Sequence, residues 1–187
     1  MYLMKDIIRE GHPNLTKKSK PVKLPVSQED KQIGLNLLKY CVISQNDELN
    51  ETFKLRPGVG LSAVQVNVLK RMFAVHLEDL DGKMYSFIII NPVINHKSKE
   101  LIYLNGGEGC LSIDRETEGL TPRHKVIKVS GHIYDSKSDA FIHKEMTLSG
   151  LPSIVFQHEY DHLDGILYID KLFNELPGVK PLIEKTT

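Results

Sequence analysis

The sequence is poor in cysteine and has no excess of charge of either sign. Its two cysteines, Cys41 and Cys110, are too few to staple a secreted domain of 187 residues. Basic and acidic residues balance at 24 each. That balance argues against a nucleic-acid binder, which would carry a basic excess. The one local run, Lys17, Lys18, Lys20 and Lys23, reads as a solvated charged segment. No apolar run approaches the length of a membrane span; the longest, Phe87 to Ile90, is strand-sized. The N-terminal stretch MYLMKDIIREGHP has charges at Lys5, Asp6, Arg9 and Glu10, so it lacks the apolar core of a secretion signal. Internal repeats and low-complexity tracts are also missing. These absences lead to an expectation of one soluble, cytoplasmic domain over residues 1–187, with a core of useful size and no membrane or direct nucleic-acid partner.

What is present reads as α+β. Residues 19–27, SKPVKLPVS, carry two prolines and read as extended. Ser27 with Asp30 three later resembles a helix start, and Ile33, Leu37 and Cys41 recur every four residues with Leu38 beside them. Cys41 on that stripe reads as core. Residues 46–58 are polar and predict a loop. RMFAVHLE and YSFIIINPVI, separated by the polar DLDGK, read as paired strands. In residues 125–135 Ile127, Val129 and Ile133 share one strand face, and 140–148 supply a partner strand. SGLPSIVFQHEYDHLDG reads as a helix, with Pro152 in its first turn and Gly165 closing it. The expected architecture is mixed or antiparallel sheet packed around this C-terminal helix, with a second helix near the N-terminus.

That C-terminal helix holds His158-Glu159-Tyr160-Asp161-His162, an H-E-x-x-H pattern. Residues four apart lie nearly above one another, so the two imidazoles project toward one point. Glu159 is turned about a quarter turn away and can reach a water without being a ligand. This is the layout of metal-assisted hydrolysis. The pattern is short and recurs by chance. Its apolar neighbours Ile154, Val155 and Leu163 imply burial, however, and two buried unliganded histidines would be costly.

A third ligand has to come from elsewhere. Tyr168 stands where the extended motif H-E-x-x-H-x-x-G-x-x-H places its last histidine, and no histidine follows His162. Glu175 and Glu184 lie in a short, proline-interrupted tail that is poorly suited to hold a rigid ligand. Upstream, NGGEGCLS (105–112) crowds three glycines around Glu108 and Cys110. It is either a flexible turn with an incidental cysteine or the source of a thiolate ligand. A thiolate with two imidazoles suits zinc or ferrous iron and leaves a position open for water. GVGLSAVQV (58–66) is only a weak phosphate-loop match, and its ordinary reading is a tight turn before a strand. Its Gln65 amide, among Ala63, Val64 and Val66, needs a partner and could donate to a developing oxyanion.

Taken in order, GVGLSAVQ (58–65), EGCLS (108–112) and QHEYDHLDG (157–165) resemble the three motifs of the peptide deformylase family, G-x-G-L-A-A-x-Q, E-G-C-L-S and Q-H-E-x-D-H-L-x-G. The likeness runs from about residue 7 to about residue 173. The insert before the first motif and DRETEGLTPRH after the second resemble the longer, Gram-positive-type branch. Ser62 and Val64 depart from the alanine and proline usual in the first motif.

The resemblance implies removal of the formyl group from the N-terminal formyl-methionine of nascent polypeptides. It implies Cys110, His158 and His162 as metal ligands and Glu159 as acid/base. Gln65 and the Leu111 backbone N–H would be oxyanion donors, with the backbones of Gly60 and Gly109 beside the peptide. Val59, Leu61, Glu108, Leu151, Ile154 and Val155 would form the methionine pocket. The implied metal is ferrous iron, with nickel, cobalt or zinc possible in purified protein. The implied setting is a monomer that works near the ribosome. Two alternatives stay open: a zinc peptidase using Glu175 or Glu184, and a non-catalytic module that binds N-terminal methionine.

Overall fold

The structure, a computed structural model, describes residues 1–182. The extended N-terminal segment leads into α1 (Gln28–Ser44), which starts where Ser27 Oγ accepts the Asp30 N–H at 3.1 Å. Leu37, Tyr40 and Cys41 of α1 are buried, and Ile33 and Leu38 pack at their edge, as the four-residue spacing predicts. A side chain at Gly34 would place its Cβ 2.8 Å from Ile88 Cγ2, so this position lets the helix lie close on the sheet.

Residues 46–58 depart from expectation. They contain α2 (Asp47–Phe53), capped by Asn46 Oδ1 accepting from Leu49 N and ended by Lys54 in the left-handed region. None of the residues of α2 is buried, and its only apolar pair, Leu49 and Phe53, is too short a pattern for periodicity to detect. Its own cap and acidic first turn hold it.

A five-stranded antiparallel sheet follows. β1 (Gly60–Ser62) pairs with β2 (Met72–Glu78), β2 with β3 (Met84–Lys97), β3 with β6 (Val126–Asp135), and β6 with β7 (Ala140–Ser149). Between β3 and β6 lie two strands of a second sheet, β4 (Leu101–Leu104) and β5 (Arg123–His124). β4 pairs antiparallel with β5 and parallel with β8 (Lys180–Leu182), which makes this smaller sheet mixed. Ile127, Val129 and Ile133 share the buried face of β6, as their alternation predicts. The extended segment before α1 is pinned to the sheet by Asn91, which exchanges two hydrogen bonds of 2.8 and 2.9 Å with the backbone of Val22.

The C-terminal helix α3 (Leu151–Leu163) packs against β1, β2, β5 and β7. Nine of its residues are buried, among them the polar Ser153, Gln157, Glu159 and His162. Phe156 meets Phe73 edge-on, with ring centroids 5.0 Å apart. Pro152 sits in the first turn and Gly165 follows the last, at φ +74°. A Cβ on Gly165 would lie 2.5 Å from the Thr16 carbonyl oxygen, so the N-terminal segment crosses the helix end at van der Waals contact.

That crossing generates a test. Gly165→Ala combines a left-handed backbone with a backbone clash and is expected to cost about 2–4 kcal/mol. Gly11→Ala shares the positive φ but has open space around it, and is expected to cost about 1 kcal/mol. Denaturant midpoints of the two variants against the parent check the difference; equal losses would mean that the Thr16 contact carries no weight.

Candidate metal centre

The H-E-x-x-H residues lie in the second half of α3, and their spacing puts the two rings together, with centroids 5.0 Å apart. The thiol arrives from the other side. β4 ends in a turn at Asn105, Gly106 and Gly107, with both glycines at positive φ (+92° and +84°) and the Gly107 N–H donating to Leu104 O at 2.9 Å. This turn reverses the chain and lays residues 108–112 along the helix. Ligand atoms of Cys110, His158 and His162 then all lie within 4.8 Å of one another, and Cys110 Sγ is 3.3 Å from His162 Nε2. The donor set is a buried thiol and two imidazoles, which fits zinc or ferrous iron and does not suit hard cations such as magnesium. Among the described residues no other group of three such side chains converges.

Glu108 and Arg123 hold this arrangement. The Glu108 carboxylate accepts from Arg123 Nε at 2.7 Å and Nη2 at 2.8 Å, a two-pronged ion pair with both side chains 3% exposed. Its Oε2 also meets His158 Nδ1 at 2.8 Å. The outer nitrogen of that ring is therefore engaged, and Nε2 is left to face the site. Arg123 reaches Asp161 with its other arm, and Lys171 donates to the same Asp161 carboxylate at 2.7 and 2.8 Å. Burial alone would raise the Glu108 carboxyl, but the hydrogen bonds and charges of Arg123 and His158 outweigh it and hold the group down to about 2.

Similar opposition sets the other groups. Burial pushes the Cys110 thiol up; the charge of His162 and hydrogen bonds with both imidazoles bring it well below its ordinary value. Glu159 goes the opposite way. Burial raises its carboxyl above the usual range, and neither the histidines nor a hydrogen bond from Ser62 offsets this fully. Tyr168, standing where the extended motif would have its third histidine, stacks on His158 with centroids 5.8 Å apart and bonds Thr117 through its hydroxyl. It supports the first ligand without being one.

A cavity of about 280 Å³ opens on this cluster. Its lining includes Val59, Gly60, Gln65, Glu108, Gly109, Cys110, Leu111, Ile154, Val155, His158 and Glu159. Leu61 and Leu151 do not line it. Leu61 lies between Gly60 and Ser62 on a strand, so its side chain points to the opposite face, where it is buried with Leu37 and Tyr40. Leu151 packs in the first turn of α3 against the cluster containing Val155 and Phe156. Glu175 is exposed and outside the ligand cluster, and Glu184 lies outside the described residues.

Sequence reasoning missed several contributors. Gln45, Arg56, Pro57, Gly58 and Leu104 also line the cavity. Arg123 gave no motif signal; only the need of a buried Glu108 for a cation could have prompted a search. Gln65 is locked by Ser62 N donating to Oε1 at 2.9 Å, while Nε2 donates to Cys110 Sγ at 3.4 Å and Ser112 Oγ at 3.2 Å. Ser62 Oγ lies 2.6 Å from Glu159 Oε2.

The depressed Glu108 group makes a signed expectation. Its stabilisation is complete above the ordinary value of 4.5 and is lost as pH falls toward about 2. The contribution is on the order of 3 kcal/mol. Denaturant unfolding of the metal-free protein at pH 6, 4 and 3 is expected to show this acid loss, and Glu108→Gln to flatten it. Equal acid slopes in the two proteins would contradict the ion-pair account.

Comparison with known proteins gives one consistent picture. A family model described as polypeptide deformylase matches residues 4–176. The chain is 49% identical over 172 residues to peptide deformylase 2 of Geobacillus stearothermophilus, covering 92% of this chain and 91% of that protein. It is 44% identical over 181 residues to peptide deformylase 2 of Bacillus subtilis, covering 97% and 96%. Among solved structures, a class I type b peptide deformylase from Acinetobacter baumannii superposes with a TM-score of 0.71 at 26% identity, over 92% of this chain and 99% of that one. A form of the Acinetobacter enzyme with Met-Ala-Ser bound gives 0.68 at 25% identity, over 89% and 96%.

Proposed function

The chain belongs to the polypeptide deformylase family, metal-dependent hydrolases that remove the formyl group from N-terminal formyl-methionine, and we propose the roles in that reaction of the residues around its cavity. The observation that carries the assignment is the meeting of Cys110, His158 and His162 within 4.8 Å, beside Glu159 and Gln65 in one cavity.

Cys110, His158 and His162 would hold the divalent metal, and ferrous iron is the ion we assign in the cell. When bound, the metal supplies Lewis acidity for the attacking water and the formyl oxygen. Glu159 takes a proton from that water as its oxygen attacks the formyl carbon. It returns the proton to the amine nitrogen as the carbon–nitrogen bond breaks, leaving formate and a free N-terminal methionine. Burial raises this carboxyl above the usual carboxylate range, which makes it a better proton acceptor for the first half of this task. The Gln65 amide and the Leu111 N–H donate to the formyl oxygen as charge grows there. Gln65 has only two Nε2 hydrogens, now aimed at Cys110 and Ser112, so donation to substrate requires it to release one of them.

The apolar side chains of Val59, Ile154 and Val155 receive the methionine side chain, and Gly60 and Gly109 leave room for peptide backbone beside it. The bound Met-Ala-Ser of the Acinetobacter relative begins with a free methionine, as the product does. We read residues 1–187 as one catalytic unit acting as a cytoplasmic monomer near the ribosome, because the substrate is the start of a nascent chain. A peptidase built on Glu175 is disfavoured, because that carboxylate is exposed and is not part of the converging group.

Two measurements test these roles. Anaerobically iron-loaded Glu159→Ala is expected to keep its metal and lose about 10²–10⁴ in kcat on a formyl-Met peptide; full activity would remove Glu159 from the acid/base role. Cobalt titration of Cys110→Ser is expected to lose the thiolate-to-metal absorption. Affinity should fall by more than the roughly 10–100-fold that loss of an outer partner costs. Unchanged affinity would reopen the search for a third ligand.

A further inference from the structure

We propose that Ser62 is a positioning residue that divides labour between the two oxygens of Glu159, binding Oε2 and leaving Oε1 to carry the proton. The proposal rests on the deformylase assignment of Glu159. Ser62 Oγ lies 2.6 Å from Glu159 Oε2 and 3.0 Å from the Glu159 backbone carbonyl oxygen. A hydroxyl has one proton, so it can serve only one of these acceptors at a time. The shorter contact is to the carboxylate, and a charged acceptor makes the stronger bond. Both side chains are buried, Ser62 completely, so water does not compete for either partner.

The other oxygen is placed by absence of bulk. Oε1 lies where a Cβ on Gly60 would come within 2.5 Å, and Gly60 lines the cavity. Alternation along β1 turns Gly60 and Ser62 to the same face, toward α3, with Leu61 turned away. One strand therefore meets Glu159 twice, with a hydroxyl on one oxygen and a bare Cα by the other. The backbone N–H of Ser62 also fixes Gln65 through its Oε1 at 2.9 Å. A single residue thus orients the proton carrier with its side chain and the oxyanion donor with its main chain.

In the reaction the water O–H bond breaks, its proton goes to Oε1, and the oxygen pair forms the new bond to the formyl carbon. Ser62 keeps donating to Oε2 throughout. The proton then leaves Oε1 for the amine nitrogen as the carbon–nitrogen bond breaks. Without the hydroxyl only the close packing beside Gly60 restrains the carboxylate, and its orientation is less sharply set.

Ser62→Ala and Ser62→Thr, each loaded with cobalt, provide the test on a formyl-Met peptide. Ser62→Ala is expected to lower kcat about 3–10-fold with KM within twofold, and Ser62→Thr to restore at least half of the parental kcat. Cobalt affinity by calorimetry is expected to stay within twofold in both. In a Glu159→Gln background Ser62→Ala should bring no further loss. Crystals of Ser62→Ala should show the Glu159 carboxylate in more than one orientation where the parent shows one. Parental kcat in Ser62→Ala, or a loss that tracks cobalt affinity, overturns the proposal. A parent that binds cobalt but does not deformylate overturns the family reaction instead, and the Glu159 orientation in the two crystals still decides the role of Ser62.

Discussion

The burial of Arg123 between two carboxylates is the constraint on which the rest of the site depends. A guanidinium so far from water is tolerable only if its donors are taken, and Glu108 and Asp161 take them. Those two residues belong to different parts of the chain. Glu108 opens the loop that carries Cys110, and Asp161 lies on α3 between Glu159 and His162. Satisfying one cation therefore fixes the distance between the thiol and the imidazoles. Glu108 spends its remaining capacity on His158, so the same carboxylate that anchors the loop also aims a ring. Removing Arg123 takes from the buried Glu108 carboxylate its two-pronged cation partner, a cost of several kcal/mol.

The two sides of the cavity follow different logic. The metal side is electrostatic, built from charges that compensate one another in a dry interior. The strand side is steric and directional: Gly60 yields space, Ser62 supplies a hydroxyl, and Gln65 is turned by a main-chain bond. Strand alternation sorts these roles, and it also removes Leu61 from the cavity to the packing beneath α1.

Much of this was legible because it is local. The H-E-x-x-H spacing, the glycines around Cys110, the cap at Ser27 and the alternation of β6 are each written within about ten residues. Three short motifs in order were enough to indicate the family and to single out Cys110, His158 and His162, which the structure brings together. The failures also share a cause. α2 spans seven residues and its two apolar side chains, Leu49 and Phe53, stay exposed, so it is too short for periodicity to mark it. β5 and β8 are too short for any pattern. Arg123 could not be picked from the basic residues, because a partner chosen by tertiary proximity leaves no trace in spacing. Ser62 looked like a minor departure from the usual alanine, because a hydroxyl matters only once the carboxylate it faces is known.

The pairing of β8 with β4 bears on timing. By residue 162 a chain under synthesis has both imidazoles, the thiol and Glu159. The parallel partner of β4, the strand that runs into the Cys110 turn, arrives only at residues 180–182. An enzyme that acts on the first residue of newborn chains thus closes its own second sheet with strand residues made after Cys110, His158, Glu159 and His162. These four side chains are all synthesised before the strand that steadies the Cys110 turn.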